Sequence, residues 1–131
     1  MGNTLILDTS VLIDLLRNNI PTINWFKENE QNYEFATTVI NLFELYTGAY
    51  KSTDSERKIK DVEELSKKLK IFSFLSQYSK EAGKQKAKLE KNGIIIDAGD
   101  LLIGSTAVVE RLPIKTNNIK HFSRIEGLEI I

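Results

Sequence analysis

Three carboxylates in apolar surroundings are the residues of this sequence best suited to chemistry. Asp8 closes the apolar run 4–8, Glu44 lies within the apolar stretch 39–46, and Asp100 falls in the first turn of a predicted helix. No Lys or Arg lies beside any of the three in the sequence. Carboxylates are rarely buried alone, so three that met would repel unless a cation joined them. Oxygen ligands favour Mg²⁺ or Mn²⁺, which can activate water for attack on a phosphate.

Polar residues near these acids are candidates to contact a substrate or to support the acids. Each follows a predicted strand or shares a helical face with an acid. Each is therefore expected near the edge of the sheet at which parallel α/β proteins bind ligands. These candidates are Thr9, Ser10, Asn41, Thr116 and Asn118.

Taken singly, most of these residues have a plainer structural interpretation. An isolated Asp8 would satisfy the amides of a turn, and Asp97 is predicted to cap a helix. The hydroxyl residues are common in turns. The lone His121 is interpreted as structural rather than as a catalytic base. Glu44 resists such an interpretation because its neighbours are apolar on both sides.

Hydrophobic patterning predicts strands that alternate with helices. This alternation predicts an α/β fold, a three-layer α/β/α sandwich with a short, mostly parallel sheet. No linker or repeat interrupts the pattern, so a single domain over 1–131 is expected. The predicted strands cover 4–8, 34–36, 71–75, 112–116 and 128–131, and the predicted helices cover 11–16, a segment from Pro21, 38–48, 53–69, a segment from Ser76 or Ser79 to Asn92, and 98–110.

Composition and charge exclude several classes of protein. The 18 basic and 18 acidic side chains balance overall, but residues 1–50 hold two basic against six acidic residues and residues 51–91 hold twelve against seven. A nucleic-acid binder that relied on bulk charge would be basic throughout. The chain has no cysteine, which excludes disulfides and thiolate metal sites and is compatible with the cytoplasm. No apolar run approaches the ~20 residues that cross a bilayer, and no signal peptide is expected.

Four blocks of the sequence, in order, resemble the PIN-domain family, and within it the VapC-like ribonuclease toxins of toxin–antitoxin pairs. The resemblance covers essentially the whole chain. The blocks are LILDTSVLIDLL at 5–16, NLFELYTGA at 41–49, DLLIGSTA at 100–107 and IKTNNIKHFSRIEGLEII at 114–131.

The resemblance implies roles for particular residues. Asp8, Glu44 and Asp100 match the acidic metal-binding positions of the family, and Asn118 matches a fourth polar position that carries Asp or Asn. The third block selects Asp100 rather than Asp97, because its helix matches in register from that residue. Gly104 replaces a more usual alanine in that helix, a change in packing rather than in chemistry.

The resemblance also implies an activity and partners. We expect Mg²⁺- or Mn²⁺-dependent cleavage of RNA by a metal-activated water, leaving 5′-phosphate and 3′-hydroxyl ends. A small antitoxin protein is the expected inhibitor, a homodimer the expected assembly and the cytoplasm the expected location. Lysines of the segment 80–91, among them Lys84 and Lys88, are candidates to attract the RNA backbone.

Other classes of function remain open on the residues alone. A receiver domain that accepts a phosphoryl group also has a parallel α/β fold and a strand-end Asp, although it normally needs an acidic pair there. A haloacid-dehalogenase phosphatase would need an acid where Ser10 stands. A catalytically silent PIN module that binds RNA or protein is compatible with the neutral Asn118.

Overall fold

The computed structural model describes residues 3–131 as a four-stranded sheet with helices on both faces. The strands are all parallel, in the order β3-β2-β1-β4. The longest helix, α5, has 16 residues, and no helix within residues 3–131 is long and apolar enough to cross a membrane. The elements are β1 Asn3–Leu7, α1 Thr9–Leu16, α2 Ile20–Asn29, β2 Tyr33–Thr38, α3 Val39–Lys51, α4 Ser55–Ser66, β3 Lys70–Phe72, α5 Ser76–Lys91, α6 Ala98–Glu110, β4 Ile114–Lys115 and α7 Ile119–Phe122.

The alternation of side chains along β1 creates two hydrophobic cores, one on each face of the sheet. Leu5 and Leu7 point to the face covered by α1, α2, α3 and α4, whereas Ile6 points to the face covered by α6 and α7. All three side chains are fully buried, which contributes about 1.5–3 kcal/mol each. The chain therefore forms three layers, and the predicted α/β/α sandwich is confirmed.

Helix starts show where local sequence signals determined the structure. Asp97 caps α6, as predicted, and Thr38 caps α3 in a capping box with Asn41. Thr53 and Glu56 have the sequence spacing of a capping box, which would start the helix at Thr53, but α4 begins at Ser55 and its N-cap residue makes no side-chain capping bond. Thr53 lies one residue too early to accept from the first turn of that helix.

The end of the chain departs most from the predicted strands. The predicted strand 112–116 is reduced to the two residues of β4. The predicted strand 128–131 is reduced to one parallel bridge between Ile114 and Ile130, with backbone bonds on either side of it. The segment between these two predicted strands forms the short helix α7, which the fully buried Phe122 anchors.

Candidate active site

Asp8 is a buried carboxylate at the carboxyl edge of the sheet. It follows β1 directly, and its backbone NH donates to Lys115 O at 2.9 Å, so it lies where β1 and β4 both end. Asp8 is only 2% exposed. Its Oδ2 accepts from Ser10 Oγ at 2.9 Å and from Thr116 Oγ1 at 2.7 Å, and Asn41 Nδ2 contacts Oδ1 at 3.5 Å. Three separate segments therefore hold this one carboxylate.

Glu44 projects from α3 towards the first turn of α6. Its Oε1 accepts from Thr9 Oγ1 at 2.5 Å, and Asn41 Nδ2 donates to that Thr9 oxygen at 3.0 Å. Its other oxygen lies against Gly99, where a Cβ would stand 2.6 Å from Glu44 Oε2 and 3.0 Å from Asp97 Oδ2. A Cβ at this position would push the Glu44 carboxylate out of the place it occupies.

Asp100 enters the site from the start of α6. Its backbone NH donates to the capping Asp97 Oδ2 at 3.3 Å, which orients the first turn of the helix. Its Oδ2 lies 3.4 Å from His121 Nδ1 on α7. Asp100 is therefore close to the imidazole of His121, which the sequence predicts to be structural.

Burial and mutual repulsion raise the pKa of both Glu44 and Asp100. Burial is the largest cause for each. The hydrogen bond from Thr9 opposes the rise in the pKa of Glu44, whereas the Asp8 and Asp100 carboxylates add to it. The Asp8 carboxylate also raises the pKa of Asp100, and the His121 imidazole opposes that rise. The acids are thus close enough to affect one another.

The segment after β4 connects the far side of the site to α1. Thr116 Oγ1 donates to Asp8 and accepts from the backbone NH of Asn118 at 2.9 Å. Asn117 ties the same turn to α1, with its NH on Ser10 Oγ at 3.0 Å and its Nδ2 on Asp14 Oδ2 at 2.9 Å. These bonds fix the turn from which Asn118 faces the cleft.

A cleft of about 410 Å³ brings most of the predicted site residues together. Asn41 and Thr116 lie behind it as buried supports rather than on its surface. The predicted residues on its surface are Asp8, Thr9, Ser10, Glu44, Asp100 and Asn118, and Ile13, Phe43 and Thr47 complete the lining.

Lys84 and Lys88 are not on the surface of this cleft. They lie on α5, where the Lys88 ammonium pairs with the Glu126 carboxylate. That pairing, with a smaller contribution from Lys84, lowers the pKa of Glu126. Lys88 is therefore already partnered within the chain.

A second groove, with basic side chains, adjoins the cleft. It has a volume of about 200 Å³ and lies between α1, α3 and α4. Arg17, Arg57 and Lys58 line it, and it shares Ile13 and Glu44 with the cleft. A phosphate-containing ligand that extended from this groove into the cleft would therefore pass Glu44.

The donor set of the cleft fits a hard divalent cation. Within residues 3–131, no Lys or Arg forms an ion pair with Asp8, Glu44 or Asp100. The lining includes three carboxylates, and carboxylate oxygens are ligands that Mg²⁺ and Mn²⁺ prefer. In the same part of the chain, no three His or acidic side chains form a ready-made ligand set.

Sequence reasoning missed several residues of this region. Gly99 lets the Glu44 carboxylate approach the backbone of α6. A glycine between Asp97 and Asp100 in the sequence could have indicated such a close approach. Arg17 is one of only two basic residues in the first fifty, an equally unused signal. The contact between His121 and Asp100 left no signal, because 20 residues separate them.

The fold and the cleft define an α/β protein with unneutralised carboxylates at the carboxyl edge of a parallel sheet. A family model described as PIN domain matches residues 5–128. The chain belongs to the PIN-domain family.

Individual relatives agree over nearly the whole chain. It is 31% identical over 123 residues to Ribonuclease VapC2 of Haemophilus influenzae, covering 93% of this chain and 92% of that protein. It is 30% identical over 124 residues to the tRNA(fMet)-specific endonuclease VapC of Salmonella typhimurium, covering 95% and 93%. Its structure matches VapBC2 of Rickettsia felis bound to a promoter DNA fragment, with a TM-score of 0.90, 29% identity and 98% and 97% coverage. Membership in the PIN family replaces the receiver and phosphatase interpretations.

Proposed function

We propose that this chain is an endoribonuclease and the toxin component of a toxin–antitoxin pair. The observation that carries the proposal is the cleft in which Asp8, Glu44 and Asp100 meet without a neutralising Lys or Arg among the described residues. The full-length similarity to proteins named as VapC ribonucleases supports RNA as the substrate.

The proposed cofactor is Mg²⁺ or Mn²⁺, held by Asp8, Glu44 and Asp100. A bound divalent cation supplies a Lewis acid that lowers the pKa of a water and offsets charge on the phosphate. The residues around it keep the ligands in place. Ser10 and Thr116 donate to Asp8 and prevent its carboxylate from rotating, and Thr9 does the same for Glu44.

Asn118 is proposed to contact the substrate rather than to add charge. Asn118 lines the cleft, and the bond from its backbone NH to Thr116 holds it in place. An amide can donate to a phosphate oxygen while leaving the site's net charge unchanged. This arrangement fits a residue that orients the scissile phosphate.

The basic groove is proposed to hold the RNA strand next to the scissile bond. Arg17, Arg57 and Lys58 line it, and Glu44 lies where it meets the cleft. Arg57 is also paired with Asp54 at 3.0 Å, so Arg17 and Lys58 are the freer of the three to bind phosphates. Lys84 and Lys88 on α5 remain the contacts predicted from sequence.

The proposed biological setting follows from the relatives. Solved structures similar to this chain are VapBC complexes, some of them bound to DNA, so we propose a small antitoxin protein as its partner. We propose the cytoplasm as its site of action, because RNA is the proposed substrate. We also propose a homodimer.

Cleavage of a mixed RNA pool by the purified protein tests the proposed activity. We expect products with 5′-phosphate and 3′-hydroxyl ends in Mg²⁺ or Mn²⁺ and none in a chelator. Asp8→Asn should lower the cleavage rate by at least about 100-fold, because it removes a cation ligand. It should not lower the melting temperature, since Asn keeps the shape of Asp8 and relieves repulsion. Glu129→Gln is the control, because it also removes one negative charge but at an exposed residue. This variant should cleave RNA at the wild-type rate.

A second candidate function is a silent PIN module that binds RNA without cutting it, and the neutral Asn118 in the cleft is the observation that favours it. Intact RNA retained by the wild-type protein in both cations would support this candidate. Equal cleavage by wild type and Asp8→Asn would contradict the assignment of the acids.

A further inference from the structure

The basic groove has an apolar floor, which the binding of phosphates alone does not explain. This floor consists of Leu45, Ala49 and Val62, which line the groove and belong to a hydrophobic core. Basic side chains line the same groove, and so do two acids, Glu44 and Asp61. A phosphate needs only positive charge and hydrogen-bond donors, whereas a nucleobase needs an apolar surface for its face and polar groups for its edge. The lining of the groove therefore fits a base as well as a phosphate.

The size and the position of the groove suit a single base. Its volume of about 200 Å³ is below the roughly 300–1,000 Å³ of sites for drug-sized molecules. It shares Ile13 and Glu44 with the cleft, so a nucleotide next to the scissile phosphate would reach it. Arg17 and Lys58 also line it and can bind the phosphates on either side of that nucleotide.

Asp61 gives the groove a hydrogen-bond acceptor for the edge of a base. Within residues 3–131, its carboxylate forms no ion pair with a Lys or Arg. An ionised carboxylate only accepts hydrogen bonds, and its two oxygens can accept from two adjacent donors at once. Guanine presents two such donors, N1–H and the N2 amino group, side by side on its Watson–Crick edge. Uracil presents a single N3–H between two carbonyl oxygens, which would repel a carboxylate.

We propose that the groove between α1, α3 and α4 binds one nucleobase of the RNA, with a preference for guanine, next to the scissile phosphate. The base lies on the apolar floor with its Watson–Crick edge against Asp61. Arg57, whose Nε is 3.0 Å from Asp54 Oδ2, stacks its guanidinium on the other face of the base. This inference rests on the proposed ribonuclease function and adds to it a selection of sequence that the acids of the cleft do not provide.

Two RNA decamers test the preference for guanine in the Asp8→Asn protein, which leaves RNA intact during the measurement. One decamer contains only uridine, and the other has one guanosine in the middle. We expect the guanosine decamer to bind at least about fivefold more tightly in fluorescence anisotropy, because a bidentate pair discriminates between bases. Inosine, which lacks the N2 amino group, should lose most of this preference, and adding Asp61→Asn should remove it. The comparison of decamers uses one protein, so it does not depend on the folding of a further variant.

Filling the groove provides a second measurement. Gly48 lines the groove from inside α3, and a Cβ on it would have nothing within 4 Å, so a larger side chain can occupy the groove without a clash at its base. Gly48→Leu should weaken binding of the guanosine decamer at least about tenfold and abolish the preference, because the base loses its stacking surface. Gly83→Leu, at an equally open position inside α5, is the matched control and should change neither.

The outcomes separate this inference from the proposed function. Equal binding of the two decamers, or binding of neither, would overturn the inference. Unchanged RNA binding and cleavage in Gly48→Leu would also overturn it and would leave the groove to a protein segment. All of these results are compatible with cleavage of the mixed RNA pool by the wild type, whereas absence of that cleavage would overturn the proposed function whichever decamer binds better.

Discussion

At the scale of single residues, the site holds carboxylates in partly or fully buried positions, where burial disfavours a negative charge. Asp8 is almost fully buried, and its hydrogen bonds come from neutral hydroxyl and amide groups. Neutral donors hold a carboxylate in place without cancelling its charge, whereas a Lys or Arg would cancel it. The arrangement therefore preserves the attraction for a cation at some cost in stability.

The raised pKa of Glu44 predicts how stability changes with pH. A pKa higher in the folded than in the unfolded chain means that folding favours the protonated carboxyl. Stability is thus greater below the ordinary Glu pKa and falls as pH rises from there to the raised pKa. Glu44→Gln removes this loss, so in chelator it should be more stable than wild type at neutral pH and equal to it at acid pH. Urea unfolding at both pH values measures the difference.

Glu129→Gln controls for the loss of one negative charge and should change stability little at either pH. Adding Mg²⁺ or Mn²⁺ should stabilise the wild type more than Glu44→Gln, because a ligand of the folded state stabilises it. If Glu44→Gln were more stable than the wild type by the same amount at acid and at neutral pH, the ionisation of Glu44 would not be the cause of the difference.

At the scale of secondary-structure elements, the site lies where β1, α3, α6 and the turn after β4 meet. The sequence was sufficient to select Asp8 and Glu44 as candidates for the site, because Asp8 ends an apolar strand and Glu44 interrupts an apolar helix. It was not sufficient for contacts between elements. The approach of Glu44 to Gly99 depends on how α3 packs on α6, which local patterns do not encode.

The same limit explains the differences elsewhere. Thr53 satisfied a local capping pattern, but α4 begins two residues later. Lys88 was grouped with other lysines of its helix, but its position across from Glu126 is set by a residue 38 positions away. The prediction of one domain over 1–131 stays a prediction.

Gly99→Ala tests the close approach of α3 to α6. The new Cβ would stand 2.6 Å from Glu44 Oε2, so the carboxylate must leave its place beside Thr9. We expect cleavage and cation affinity to fall about 10- to 100-fold. The melting temperature should change little, because alanine favours the helix and Glu44 can turn to water. Isothermal titration with Mn²⁺ and an RNA cleavage assay measure the two effects.

Gly83→Ala is the matched control, because this glycine lies inside α5 with nothing within 4 Å of its would-be Cβ. It should stabilise the protein by about 1 kcal/mol and leave cleavage unchanged. Wild-type cation affinity in Gly99→Ala would show that the Glu44 carboxylate does not need its place beside Gly99.

The basic residues of the groove and the lysines of α5 are alternative contacts for RNA, and substitutions distinguish them. In an Asp8→Asn background that cannot cleave, replacing Arg17 and Lys58 with Ala should weaken binding at least about tenfold. It should also flatten the salt dependence, by about 1.4 in slope if both side chains contact phosphates of a single strand. Lys84 and Lys88 replaced together form the comparison, and fluorescence anisotropy over a range of salt measures both. A larger loss for the lysine pair would place the RNA on α5 instead.

At the scale of the whole molecule, a stripe of large apolar side chains on α3 is exposed on the surface of residues 3–131. Val39, Phe43 and Tyr50 lie at spacings of four and seven on α3 and are 36%, 69% and 69% exposed. Phe43 also lines the cleft, so a partner on this stripe would stand next to it. A stripe of large apolar side chains on the outside of a helix is typical of a protein interface.

The homodimer expected from the family resemblance is therefore predicted to form through this stripe of α3. Tyr50→Glu should weaken the dimer at least about tenfold, or ~1.4 kcal/mol, because it buries an unpaired charge at the interface. Ile20→Glu on α2 is the control, since Ile20 is equally exposed at 64% but lies outside the stripe. Analytical ultracentrifugation over a range of concentrations should show two-chain particles for wild type and Ile20→Glu and one-chain particles for Tyr50→Glu. A wild type that stays monomeric, or a dimer that only Ile20→Glu dissociates, would exclude this interface.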